Sequence, residues 1–166
     1  MVVARPDASA TEGAVKLEAR FLGVGERIVT ARNAVGRAGR VVNPYGEDVF
    51  VFQVRLHNGG PDPVVVQPEK ATLALGVGEP ARAMTLEDFR RRWPAWPVSN
   101  DQEGEDQAAA YAHVLHTLLI ERLVAPGESI EGRLAFKLGA AREALVLKLP
   151  LRDGRRERAA TLRWTL

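Results

Sequence analysis

Cysteine is absent from the chain, which excludes disulfide staples, thiolate zinc sites and cysteine nucleophiles. A chain of 166 residues does not need staples, because a domain of that size buries roughly 70% of its unfolded surface. No window of about 18 apolar residues occurs, so no helical membrane span is encoded. A one-sided charge is missing too: 23 basic and 21 acidic side chains leave a net charge of +2, too little to argue for nucleic acid. The serines Ser9, Ser99 and Ser129 stand in no Gly-x-Ser-x-Gly setting, and turn bonding accounts for Ser129. The pairs Gly23/Gly25 and Gly76/Gly78 lack the third glycine and following helix of a dinucleotide fingerprint, so both read as turns and no cofactor is expected.

What is present is alternation. In residues 48–58, Phe50, Phe52, Val54 and Leu56 take every second position, with Gln53, Arg55 and His57 between them. That is the period of a strand with one face in a core and one wet face. The following Asn58-Gly59-Gly60-Pro61-Asp62-Pro63 ends the strand with turn residues. Similar alternation predicts strands over 14–23, 70–77, 129–138, 144–152 and 158–165. Shorter pieces are expected near 26–31, 41–42 and 63–68. The prolines Pro63 and Pro68 place the last of these at an edge or in a connection, and Pro150 places its hairpin towards an edge. Asp153-Gly154 marks that hairpin.

The pattern changes in mid-chain. Thr85 with Asp88 three residues later forms an acidic capping box, and Pro94 halts the helix it opens. A polar stretch over 99–106 leads to a second helix over about 106–120, with Ala109, Ala112, Leu115, Leu118 and Leu119 as its apolar stripe. Strands on both sides of two helices imply an insertion packed on one end or face of a sheet. Residues 1–13 read as a flexible polar tether and 14–166 as a single domain with its helical insertion at about 85–120.

Few constellations carry chemistry. His113 and His116 are three apart on the second helix, spaced to share a metal, but Ala109 and Ala110 occupy the turn where an acidic third ligand would stand. Two surface imidazoles are the simpler reading. The acids Asp101, Glu103, Glu105 and Asp106 lack EF-hand spacing and read as a solvated linker. Arg90, Arg91 and Arg92 beside Trp93 and Trp96 form the most distinctive surface candidate, suited to an anionic lipid, a glycan or an acidic partner. Packing of Leu86, Phe89 and Trp93 on a sheet competes with that reading and leaves Trp96 most open to a binding role. Tyr111 completes the candidate set.

Two distant pieces carry a resemblance: the strand ending in Asn58, and the later Pro126-Gly127-Glu128-Ser129 followed by Gly132 and Phe136. Together they resemble the immunoglobulin-like domains of bacterial secreted proteins and lipoproteins, many of unknown function. The resemblance implies an antiparallel β-sandwich of about seven or eight strands and an extracytoplasmic setting, with a cytoplasmic one as the alternative. It brings no catalytic residues, and it does not account for the helical insertion.

The expected function is therefore that of a non-enzymatic module offering a surface to a protein or cell-envelope component. The alternative is a small-ligand or lipid binder with a pocket between the inserted helices and the sheet, lined by Trp93, Trp96 and Tyr111. A third reading, a metal-dependent enzyme, would use His113 and His116. Oligomeric state leaves no mark in the sequence.

Overall fold

A computed structural model of the chain describes residues 8–29, 39–74, 78–92, 101–137 and 144–165. The strands are β1 (Ala8–Glu12), β2 (Val15–Gly23), β3 (Ile28–Val29), β4 (Val41–Val42), β5 (Val49–Asn58), β6 (Val64–Val66), β7 (Thr72–Ala74) and β8 (Ala81–Arg82). Two helices follow, α1 (Leu86–Arg92) and α2 (Asp101–Thr117), and then β9 (Arg122–Val124), β10 (Ser129–Lys137), β11 (Ala144–Asp153) and β12 (Arg156–Thr165). The chain is mainly β, and its strand pairings are antiparallel. Twelve strands are described where seven or eight were expected. Half of them are two or three residues long, too short to display a period in sequence.

One sheet has the order β1-β2-β5-β10. Apart from β3 and β4, which pair as a separate two-stranded sheet, a second has the order β8-β7-β11-β6-β9, with β12 on the far side of β11. Their apolar faces share one cluster: Leu17, Phe52, Val54, Leu56, Leu134 and Phe136 from the first, and Leu73, Leu145, Leu147, Leu149, Leu162 and Trp164 from the second. These are the alternate positions of each strand, so burial follows the two-residue period. Register agrees, with Phe52 opposite Leu134 and Leu147 opposite Leu162.

Three expectations change. Residues 8–12, expected within the polar tether, form β1, because Ala8 and Ala10 pack against the core while the chain pairs with β2. The proline-flanked β6 is interior, between β11 and β9. β11 is interior too, although it contains Pro150; its hairpin does reach an edge, as expected, through β12, which among the described residues pairs only with β11. The neighbour on that side of β11 switches from β7, paired at 146–148, to β6, paired at 151–152. The Pro150 carbonyl accepts from Gln67 N at 3.1 Å, and a strand residue's N and C=O face the same neighbour. The missing N–H thus falls in the break between two partners, where no ladder bond is lost.

The first sheet's second face is not all wet. Arg55 and His57 are exposed as predicted. Towards the start of β5, however, Val49 and Val51 join Ala135, Tyr45, Phe89, Val114 and Leu118 in a second buried cluster under the helices. α2 starts at Asp101 rather than near 106. It buries Asp106, Ala110 and Val114, a row of four-residue steps that reaches Leu118, and leaves Leu115 45% exposed. Of the expected stripe, Ala112 and Leu115 are therefore on the outside, while Leu118 and Leu119 are buried.

Both ends of the helical insertion are clipped to the free edge of β10. Met84 N donates to Ala135 O and Leu119 N to Arg133 O, each at 2.8 Å. This covers an edge that would otherwise expose unpaired backbone. Gly132 makes the approach possible, since a Cβ there would lie 2.9 Å from Leu119 Cα.

The two sequence pieces that carried the resemblance are in contact. Asn58 is fully buried. Its Nδ2 donates to Asp62 O at 2.8 Å and Val124 O at 3.0 Å, and its Oδ1 accepts from Gly60 N at 3.0 Å. Its backbone N donates to Glu128 O at 3.0 Å, and its carbonyl accepts from Gly127 N at 2.7 Å. One asparagine thus ties the turn after β5 to the turn between β9 and β10.

Candidate functional site

The corner where α1 meets both sheets is held by a chain of local contacts. Thr85 caps α1: Asp88 N donates to Thr85 Oγ1 at 3.2 Å, and Thr85 N donates back to Asp88 Oδ2 at 2.8 Å. This is the reciprocal box predicted from sequence. Arg82 of β8 then grips the same carboxylate with two nitrogens, at 3.1 and 3.0 Å. Burial pushes the Asp88 carboxyl up, but the Thr85 N–H, the Thr85 hydroxyl and Arg82 together bring it below its ordinary value. Asp88 is an anchor fixing Arg82, not a free acid.

A pocket of about 590 Å³ opens beside this anchor. Ala81, Ala83 and Met84 give it an apolar floor, and Arg82, Arg91, Arg92 and Lys137 surround it, against the two carboxylates Asp48 and Asp88. Asp48 is bound to Arg92; the hydrogen bond from that guanidinium chiefly holds its carboxyl below the usual range, and Lys137 adds a smaller electrostatic pull. Both acids are therefore engaged by arginines, and with Arg91 on Glu87 the positive charge left over at the corner is that of Lys137. Such a site favours an anion with an uncharged body.

A second polar cluster lies beneath α2. Arg133 is 7% exposed, and each guanidinium nitrogen has a partner. Nε donates to Gln53 Oε1 at 3.1 Å, Nη1 contacts His113 Nε2 at 3.1 Å, and Nη2 donates to Glu26 Oε2 at 2.7 Å. Arginine can only donate, so His113 accepts through Nε2 and is neutral with its proton on Nδ1. Burial lowers the His113 pKa, Arg133 lowers it further, Glu26 opposes, and His116 contributes a small lowering. Tyr45 completes the cluster, with Arg133 lying 5.8 Å over its ring. Thr117 Oγ1 donates to His113 O at 2.7 Å, so the Tyr45 hydroxyl, 2.7 Å away, must donate to Thr117 Oγ1. The phenol is thereby held protonated, and burial raises its pKa, with Arg133 opposing. These groups fasten α2 and the 24–27 segment to the sheet.

The sequence-derived candidates disperse. Arg91 and Arg92 line the corner pocket, with Arg91 also on Glu87 at 3.2 Å. Arg90 instead reaches outward to Tyr111 Oη at 3.3 Å. Trp93 and Trp96 lie outside the described residues. His113 turns inwards to Arg133 while His116 is exposed, so the two are not a surface pair. Among the described residues no group of three His, Cys, Asp or Glu is placed to hold a metal, and no helix is long and apolar enough to cross a membrane. The acids 101–106 belong to α2 rather than to a linker. Asp48, Arg82, Asp88 and Lys137 were not singled out as site residues, because they meet only through the fold. Asp88 alone left a trace, as part of the capping box.

No family model matches the chain, and no curated protein matches it. Among solved structures it is similar to the yjhA protein from Bacillus subtilis, with 10% identity over 84% of this chain and 75% of that one, and a TM-score of 0.46. It is also similar to a functionally unknown protein from Listeria monocytogenes EGD-e, with 10% identity over 94% of this chain and 80% of that one, and a TM-score of 0.43. Likeness at that level transfers no site.

Proposed function

We propose that this chain is a non-enzymatic binding module, a sandwich of the immunoglobulin type with a two-helix insertion, that receives an anionic group in the corner between α1 and the sheets. The observation that carries the proposal is the pocket of about 590 Å³ in which Arg82, Arg91, Arg92 and Lys137 surround an apolar floor. The non-catalytic part of the reading is supported by His113, whose Nε2 accepts from Arg133 and is not free to act as a base. An extracytoplasmic setting belongs to the same reading and is tested by fractionating cells that express the full gene.

The binding claim is tested by thermal melting in phosphate or acetate against chloride at matched ionic strength. A ligand that binds only the folded state raises Tm by mass action. Phosphate also stabilises through exclusion from protein surfaces, so the readout is the difference between the protein and its Lys137→Gln and Arg91→Gln variants. A gain present in the protein and reduced in both variants supports the reading. Equal gains in all three refute it.

A second reading, a surface for a protein or envelope component, is favoured by the exposed Leu115, Ile120 and Leu123 at and beyond the end of α2, at 45%, 54% and 56% exposure. Capture from an envelope extract that survives Leu123→Lys would count against it.

A further inference from the structure

Resting on that reading, we infer that the corner is one half of a longer site, whose ligand is a single-chain amphipathic acid with its carboxylate on Arg92 and its hydrocarbon in a second pocket. The second pocket, of about 480 Å³, lies between the segment following β4 and α2, with Val42, Gly46, Gln107 and Ala110 among its walls. Among the described residues Arg92 alone lines both pockets. Its Nη2 is on Asp48. Its Nη1 is buried and has no hydrogen-bond partner among the described residues. A buried donor of that kind is an open valence for an acceptor, and a carboxylate oxygen supplies one in the geometry arginine prefers. Gly46 leaves room for the guanidinium, since a Cβ there would lie 2.9 Å from Nη2.

Charge sets the ligand's polarity. The corner carries the cations, whereas the second pocket contributes Glu47 and Asp106, with Asp106 3.5 Å from Arg40. An acid group is drawn to the Arg92 side, and only an uncharged tail suits the space beside Val42 and Ala110. Burial of each methylene there should tighten binding by about two- to fourfold until the pocket is filled.

The test is calorimetric titration with acetate, hexanoate, octanoate and decanoate below their micelle concentrations. The expected result is affinity rising with chain length in the unmodified protein. Gln107→Trp, which fills the second pocket from its rim, should flatten the series while leaving acetate binding unchanged. Arg92→Gln should weaken every member at least tenfold. Affinity independent of chain length overturns the inference, and so does a series that Gln107→Trp leaves intact. If acetate and phosphate bind at the corner but longer acids gain nothing, the anion reading survives and this inference fails. If no anion binds, both fail. Should a variant unfold, the series on the unmodified protein still decides.

Discussion

Replacing Asn58 tests how the turn after β5 is tied to the turn between β9 and β10. The side chain is fully buried and makes three hydrogen bonds, two donated and one accepted. Asn58→Ala leaves Val124 O without this partner in a buried position, at about 1–3 kcal/mol for an unmet buried group. Asp62 and Gly60 are nearer the surface, so water recovers part of their loss, leaving about 0.5–1.5 kcal/mol each. The sum is about 2–6 kcal/mol, a large fraction of the roughly 5–15 kcal/mol that holds a domain folded. Urea denaturation should show the midpoint falling with an unchanged slope, and Tm should drop by about 2–4 °C per kcal/mol. Asn58→Asp sharpens the test. A carboxylate there faces two carbonyls that both require a donor, so at neutral pH the variant should be no more stable than Asn58→Ala. Its folded pKa would be raised, because only the protonated acid can donate to one of those carbonyls. The folded state then binds the proton more tightly than the unfolded one, and stability rises as pH falls through the raised value. A loss below about 1 kcal/mol for Asn58→Ala would refute the reasoning. So would an Asn58→Asp variant that gains nothing on Asn58→Ala upon acidification.

Other outcomes follow from single contacts. Thr85→Ala removes the cap and should cost about 1 kcal/mol, read by chemical denaturation; the Asp88 carboxylate loses the Thr85 hydroxyl but keeps the Thr85 N–H and Arg82. Gly132→Ala drives a Cβ onto Leu119 backbone and should cost about 1–3 kcal/mol, with hydrogen exchange faster at Leu119 and Met84, the two amides clipped to β10. His113→Gln probes pH dependence. The folded His113 pKa lies below its ordinary value of 6.5, so on acidification the unfolded chain is protonated first, and stability falls from that value downwards. Gln107 and the other α2 positions being unchanged, His113→Gln keeps an acceptor for Arg133 and should flatten the urea midpoint between about pH 7 and pH 5. The Glu26 contribution stays: its folded pKa is below 4.5, so it is present above that value and lost beneath it. An unchanged slope between those pH values would show that His113 does not titrate as argued.

Local chemistry was legible wherever it was long enough to repeat. Phe52, Val54 and Leu56 are core residues because a strand of ten residues shows its period plainly. Thr85 and Asp88 announce α1 because a capping box is closed within four residues. The face of α2 was not legible. Its sequence offers apolar side chains on two sides, and only docking on Val51 and Ala135 selects Ala110 and Val114 over Ala112 and Leu115.

The alternation of side chains was sufficient to establish a mainly β chain with a two-helix interruption, because that information is carried between residues two to four positions apart. The meeting of Asn58 with the turn at 126–128, the position of Pro150 in an interior strand, the neutral His113 on Arg133, and the gathering of Arg82, Arg92 and Lys137 were decided by the packed fold. Each joins residues separated by tens of positions, and nothing local encodes which of the available partners a buried donor will find.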